Sequence, residues 1–407
     1  MSRSSLAWWL YAHAPPQAED LGKFGLACLT CYRQRRVGVS LLRGPTHTGA
    51  TATVLTAGDA SFLTQHIFAE PPTREVVGES PWWMVRRHLR ASADLSIALV
   101  PRLVATGIAG RDCLVVPEWI SLRVPVPDDV RQASRLSGSV ADDLRIVRRN
   151  RLTHSLVAAP EGLDDLYTRM YVPFIRRRYG ATAPMRNLRH LRVLCRYGGL
   201  LWLERDGQRI AGLVFQRRND QLRVLCVGTL DGDYRHVKAG AMAALYAAVL
   251  EHARGSGCTL VDFGGTRPSV TDGLFRYKRK WGGAIAPYRD CVSAYVVRWD
   301  GWNDVVADLL ARTGLVVADQ GRFSAVRVIT DGQSPSAAHR ECWTAGLSQL
   351  HLISDGACAV APPPQTTLSG PLSSAALRRQ LRRCIPTRRY SPGINRDVRA
   401  RYSSGGE

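Results

Sequence analysis

Several things are scarce in this chain of 407 residues, and each scarcity excludes something. Ten cysteines are too few and too scattered for a disulfide scaffold, so a reduced, cytoplasmic protein is expected. Cys28 and Cys31 form one C-x-x-C pair with no second pair or histidine pair at zinc spacing, so two buried thiols are expected there, with no metal site. No apolar run is long enough to span a bilayer, and the patch Leu6–Tyr11 is too short for the core of a secretion signal. There is no G-x-S-x-G, H-E-x-x-H or Walker A sequence, which removes the main support for a serine hydrolase, a zinc protease or a P-loop ATPase. Lysine is the rarest charge: only Lys23, Lys238, Lys278 and Lys280 occur, and every other positive side chain is arginine.

What is present is an ordinary globular composition, 45% hydrophobic and 22% charged, with a formal net charge of +21. That charge permits an anionic partner such as nucleic acid, nucleotide or anionic lipid without demanding one. Residues 1–135 alternate short apolar runs with proline and glycine and read as mixed strands and short helices. Trp82-Trp83 with Arg86, Arg87 and Arg90 fits a buried amphipathic helix or, alternatively, a stacking surface. A polar stretch, 128–139, marks a boundary. Residues 136–300 form the next unit, 301–361 an extension packed on it, and 362–407 a basic tail running from Arg378 to Arg401 against Asp397 and Glu407.

The middle unit has the clearest pattern. A helix starts near Ser139, and a second covers 163–179 with Leu166, Met170 and Phe174 on one face. Runs at 200–204, 209–216 and 221–229 read as three strands joined by Asp206-Gly207 and Asn219-Asp220 turns, hence an antiparallel meander. An alanine-rich helix over 237–254 follows, then a buried strand at 259–263, a helix at 274–281, and a strand pair or one long strand over 284–297. The expected class is α+β with a mixed sheet.

In that order, Asp262-Phe263-Gly264-Gly265 followed by Tyr277-Lys278 and Trp281-Gly282 resembles the FemAB-like branch of the GNAT acyltransferases. The resemblance covers about residues 139–298 and implies a GNAT-like fold, with 1–135 as a candidate degenerate second half. It implies N-acyl transfer, from acyl-CoA in the leading reading, to an amine on an envelope, polysaccharide or small-molecule precursor. The alternatives are peptide-bond formation from aminoacyl-tRNA and an inert GNAT-like binding module. Neither enzyme reading calls for a tightly bound cofactor. A glycan or peptide-precursor acceptor, tRNA and peripheral membrane contact are all compatible with it.

The resemblance places the donor cleft between 221–229 and 259–263, with Cys226 and Val227 along it. Asp262 becomes a candidate to orient or deprotonate the amine, or else a cap for its own turn. Lys278, beside Tyr277, is a candidate for stabilising transition-state or donor charge; the bland alternative is an exposed lysine among Arg276, Arg279 and Lys280. Arg235-x-x-Lys238-x-Gly240 stands where CoA-using relatives carry a glycine-rich pyrophosphate loop, with lysine in place of the first glycine. Arg267 and Phe263 are candidate acceptor contacts, Arg267 because a guanidinium can grip a carboxylate or phosphate. Tyr277 and Lys280 complete the list.

Overall fold

The computed structural model describes residues 35–361, apart from 111, 130–136, 159, 160, 181, 182, 184, 320, 331, 355 and 356, together with Gly25, Cys28, Leu29, Cys31 and Tyr32. The basic tail and the Leu6–Tyr11 patch lie outside the described residues. Three sheets carry the fold. The first runs β3 (Thr73–Pro81), β1 (Arg36–Pro45), β2 (Thr51–Ala57), β4 (Leu95–Pro101), β13 (Ser293–Arg298), β5 (Leu114–Pro117). The second runs β12 (Ala284–Pro287), β6 (Ile120–Pro125), β11 (Leu260–Thr266), β10 (Gln221–Thr229), β9 (Gln208–Arg218), β8 (Gly198–Arg205), β7 (Thr153–Ala158). The third is β14 (Leu315–Asp319), β15 (Arg322–Val328), β16 (Leu347–Ser354), β17 (Ala357–Ala361).

The first two sheets are built alike. From β3 to β5, neighbours are antiparallel except for the parallel pair β2–β4. From β8 to β12 the same sequence of orientations recurs, with β10–β11 as the parallel pair. The likeness extends to an exchange. β6 follows β5 by a two-residue link yet inserts into the second sheet between β11 and β12, while β13 leaves the second sheet and inserts into the first between β4 and β5. This mixed α/β architecture of two similarly built halves exchanges strands across 135/136, and the run 284–297 is two strands in two different sheets.

Local chemistry explains the second half. The β8–β9 hairpin turns at Asp206 and Gly207, both with positive φ (51° and 76°), the backbone that a two-residue turn of matching twist requires. Helix α4 (Ala241–Gly255) is apolar almost all round because it is covered on both sides, by the sheet and by α2 (Gly138–Arg149). The expected single helix over 237–254 is instead a short helix, Tyr234–Lys238, and α4, broken at Gly240 with φ 97°. A pi-helical segment, Leu166–Tyr171, packs on the opposite face of the sheet and leads into α3 (Val172–Tyr179), whose Phe174 joins the core under α4.

Two smaller expectations change. Trp82–Met84 is a 3-10 turn that runs on into the one-turn helix Val85–His88, with Val85 buried and Trp82 packed against the core while Trp83 is 59% exposed, so only one of the two tryptophans is turned inward. Cys28 is exposed and Cys31 half-buried, so they are not two buried thiols.

Candidate active-site cleft

The two parallel pairs differ where it matters. In the first half, β2 and β4 stay paired to the C-terminal end of β2, through Ala57 and Ala98. In the second half, β10 and β11 pair only at Gln221↔Leu260, Leu222↔Val261 and Arg223↔Asp262, and then part. The parting begins at a bulge, where the β10–β9 register shifts between Val224 and Cys226. It leaves strand backbone on both walls without a ladder partner, and unpaired backbone donors are what a carbonyl or a developing oxyanion needs. Only one half of the molecule has such a cleft among the described residues.

The floor is fixed by glycines and charge. Gly264 has φ 77°, and a Cβ there would stand 2.9 Å from the Val224 carbonyl oxygen. Gly228, on the β10 wall, lies so close to the Met170–Tyr171 backbone that a Cβ would meet it at 2.5 Å. Asp262 is 4% exposed and accepts from the Gly264 amide at 2.7 Å and from the Ser121 hydroxyl, with the Arg123 guanidinium 3.6 Å away. It thus caps its own turn, as one of its two readings allowed. Lys278 is not an exposed lysine: it is 3% exposed and donates to the Gly264 and Gly265 carbonyls at 2.9 and 2.8 Å. Burial pushes its ammonium down to about 8, against the pull of the Asp262 and Asp272 carboxylates.

Beside this turn, with the Tyr288 ring set against Gly265, lies a network that the sequence reading missed. Arg186 donates its Nε to the Leu225 carbonyl, at the bulge, at 3.0 Å, and its Nη2 to Tyr288 and Asp290. Arg223 meets the same Asp290 through two nitrogens, at 2.8 and 3.2 Å, and stacks over the Tyr288 ring at 5.1 Å. Two guanidinia hold the Asp290 carboxyl well below the usual range despite its burial. Burial and the same two arginines push His190 down to about 4, so it is neutral at physiological pH. One signal could have pointed here: Arg223 interrupts an apolar strand between Leu222 and Val224 and must find a partner inside. Its partners Asp290 and Tyr288, 67 and 65 residues away in sequence, leave no local trace.

The remaining candidates fall into separate groups. Cys226 is buried just past the bulge, its thiol pushed up to about 12, and Val227 follows it half-buried on the cleft wall. Tyr277 and Lys280 face α2: Lys280 bonds Asp143 and lies 4.2 Å from the Tyr277 ring centroid, and burial raises the Tyr277 hydroxyl well above its usual value. Phe263 is 2% exposed and stacked on Tyr246 at 4.3 Å, in the core against α4. Arg267 is engaged elsewhere than with a free ligand, between Trp119 at 4.0 Å and Phe62 at 5.0 Å, with Glu118 at 3.7 Å.

The stretch expected to grip a pyrophosphate is folded on itself. Asp233 caps the short helix by accepting from the Arg235 amide at 2.8 Å, and its carboxylate also pairs with the exposed Arg235 side chain. The Ala239 amide donates to Arg235 at 2.9 Å and the Gly240 amide to Val237 at 3.0 Å. Lys238 is exposed beside Tyr234. Asn150 of the segment after α2 donates to the Ala239 carbonyl at 3.1 Å, and a Cβ on Gly240 would meet Val147 at 3.1 Å. The first turn of α4, Ala241 to Ala243, is buried beneath α2.

Residues 131–279 match the family model described as an acetyltransferase (GNAT) domain. Solved structures similar to this chain include L-PGS from Bacillus licheniformis (12% identity, TM-score 0.35, 66% of this chain and 87% of that one). FemX is similar at 12% identity and TM-score 0.35, over 67% of this chain and 90% of that one. A GCN5-related N-acetyltransferase from Kribbella flavida shares 16% identity at TM-score 0.25, over 70% and 96%. No curated protein matches the sequence.

Proposed function

We propose that this chain, whose residues 131–279 carry a GNAT acetyltransferase-type domain, transfers an acyl group to an amine in the cleft between β10 and β11, and that the donor is an aminoacyl ester of tRNA in preference to a CoA thioester. In such a step the amine nitrogen bonds to the acyl carbon, the ribose oxygen leaves, and the amine proton ends on that oxygen or on solvent. The parted backbone at the bulge is suited to hold the acyl carbonyl. Arg186 would position the bulge through the Leu225 carbonyl, and Asp262 and Lys278 would fix the opposite turn.

The observation that carries the choice of donor is the closed loop at 233–240. Amides of Arg235, Ala239 and Gly240 are already donated within the chain, α2 covers the start of α4, and the Asp233 carboxylate stands where a pyrophosphate would bring like charge. An acyl-CoA could use this cleft only after that loop opened. Thermal shift of the full chain tests the reading: aminoacyl-tRNA raises the midpoint, and acetyl-CoA at millimolar concentration leaves it unchanged. Acetyl-CoA raising the midpoint, together with acetyl transfer to an amine, overturns the choice of donor. The same assay with neither donor bound, and no transfer from either, favours the inert-module alternative.

A further inference from the structure

Past Arg223, the wall that β10 gives to the cleft has no ladder on the β11 side and must be held from elsewhere. The pi-helical segment Leu166–Tyr171 supplies that hold at two points. Its backbone at Met170–Tyr171 lies against Gly228, and its two tyrosines reach the wall through Arg186. The Arg186 backbone belongs to no strand or helix, so its amide and its carbonyl need partners outside secondary structure. The amide donates to the Tyr171 hydroxyl at 3.0 Å, and the Tyr167 hydroxyl donates to the carbonyl at 3.1 Å. The two rings, one residue in four along the segment, stand with centroids 5.7 Å apart. Met185 and Leu188 pack into the same apolar cluster as Tyr171, Leu225 and Cys226. The guanidinium of the residue held in this way closes on the Leu225 carbonyl, Tyr288 and Asp290. Burial pushes the Tyr171 hydroxyl up to about 12, so it keeps its proton at neutral pH.

We infer that Tyr167 and Tyr171 are positioning residues of the cleft: together they clamp the Arg186 backbone, and Arg186 carries that constraint to the bulge, fixing the plane of the Leu225–Cys226 peptide and the seat of the 288–290 loop. A tyrosine kept for its packing alone could be a phenylalanine, since both rings lie in the apolar cluster. What phenylalanine lacks is the hydroxyl, and with it one end of the clamp. A pi-helical turn, irregular in its own bonding, is a form that recurs at functional sites, and here it sets both tyrosines toward one backbone unit. The clamp stands on these hydrogen bonds; that the wall it fixes holds an acyl carbonyl rests on the acyl-transfer reading.

Amide hydrogen exchange of the full chain, read by mass spectrometry, tests the clamp without any donor. Tyr171→Phe leaves the Arg186 amide without its acceptor, and Tyr167→Phe leaves the carbonyl without its donor. In each variant, exchange over 222–229 and 288–291 is expected to quicken about tenfold, the equivalent of one hydrogen bond, while α4 keeps the parent rate. Tyr197→Phe, exposed ahead of β8, changes neither. In an Arg186→Gln background the tyrosine substitutions should add less than about twofold at 222–229, because the coupling passes through that side chain. Quickening at 222–229 no larger than that over α4 in both tyrosine variants overturns the inference, as does undiminished quickening in the Arg186→Gln background. With aminoacyl-tRNA as donor, each tyrosine variant should lower kcat about tenfold and leave KM within about twofold. Faster exchange with kcat unchanged overturns the positioning role in turnover, whereas a parent that turns over neither donor refutes the acyl-transfer reading and leaves the exchange result to decide the clamp.

Discussion

Replacing Lys278 by methionine should destabilise the protein more at high pH than at neutral pH, and the structure sets the size of that difference. The ammonium lies 3% exposed and bonded to two carbonyls, with burial lowering it from 10.5 to about 8. A drop of that size corresponds to about 3 kcal/mol of penalty on the charged form in the fold. Below pH 8 the lysine is protonated both folded and unfolded, so the penalty is borne in full. Between about pH 8 and 10.5 the folded state releases its proton while the unfolded state keeps it, so the unfolded state binds more protons and stability rises with pH. Lys278→Met has neither the penalty nor the two hydrogen bonds, whose loss leaves buried carbonyls unsatisfied at about 1–3 kcal/mol each. At pH 7 the two effects largely offset. By pH 10 the penalty has gone from the parent, and the deficit of the variant widens by about 3 kcal/mol. Urea unfolding followed by tryptophan fluorescence at unit steps from pH 7 to 10 measures it, because all other titrating groups are common to the two chains. A difference that stays constant across that range refutes the assignment of a depressed, buried ammonium.

Two further outcomes follow from the cleft walls. Gly228→Ala drives a Cβ into the Met170–Tyr171 backbone, which cannot yield as a side-chain tip could. A loss of about 3 kcal/mol in chemical denaturation is expected, and a loss under about 0.5 kcal/mol would show that β10 and the pi-helical segment are less tightly apposed. Asp290→Asn leaves Arg186 and Arg223 buried against one another and should lose about 3–5 kcal/mol at neutral pH. The Asp290 carboxyl is held below its unfolded value, so its stabilisation is present above the ordinary aspartate range and is lost as pH falls through the folded value. Acid unfolding of the parent should therefore be steeper than that of Asp290→Asn; parallel acid curves would refute the pairing.

The sequence was most readable where structure is local. The meander at 200–229 was legible because alternation and turn chemistry agree, and the observed strands differ from the expected ones by one or two residues at most of their ends. Gly240 was read as part of a phosphate loop and serves as the kink between two helices, since the motif does not say which amides will be donated within the chain. The run 284–297 was legible as strand but not as two strands, because the exchange between sheets depends on β4, β6 and β11, far away in sequence. Asp262 and Lys278 were found by resemblance, whereas Arg186, Tyr288 and Asp290 were not, since a buried ion cluster assembled from distant loops has no period and no spacing.

The strand exchange has a consequence for how the molecule can be taken apart. The half with the cleft obtains β6 from the segment before it, and β13, encoded after the cleft, completes the first sheet. A fragment beginning at residue 131, where the family match begins, would lack the strand that covers β11 and would present a bare sheet edge beside the turn that holds Asp262. Each half acts as the other's missing piece, so they should melt in one transition, and a hinge opening between them would have to break ladder bonds. Access to the cleft must come instead from the loops at its mouth, 185–187 and 288–290, which are tied together by Arg186 and Asp290 and belong to neither sheet's ladder.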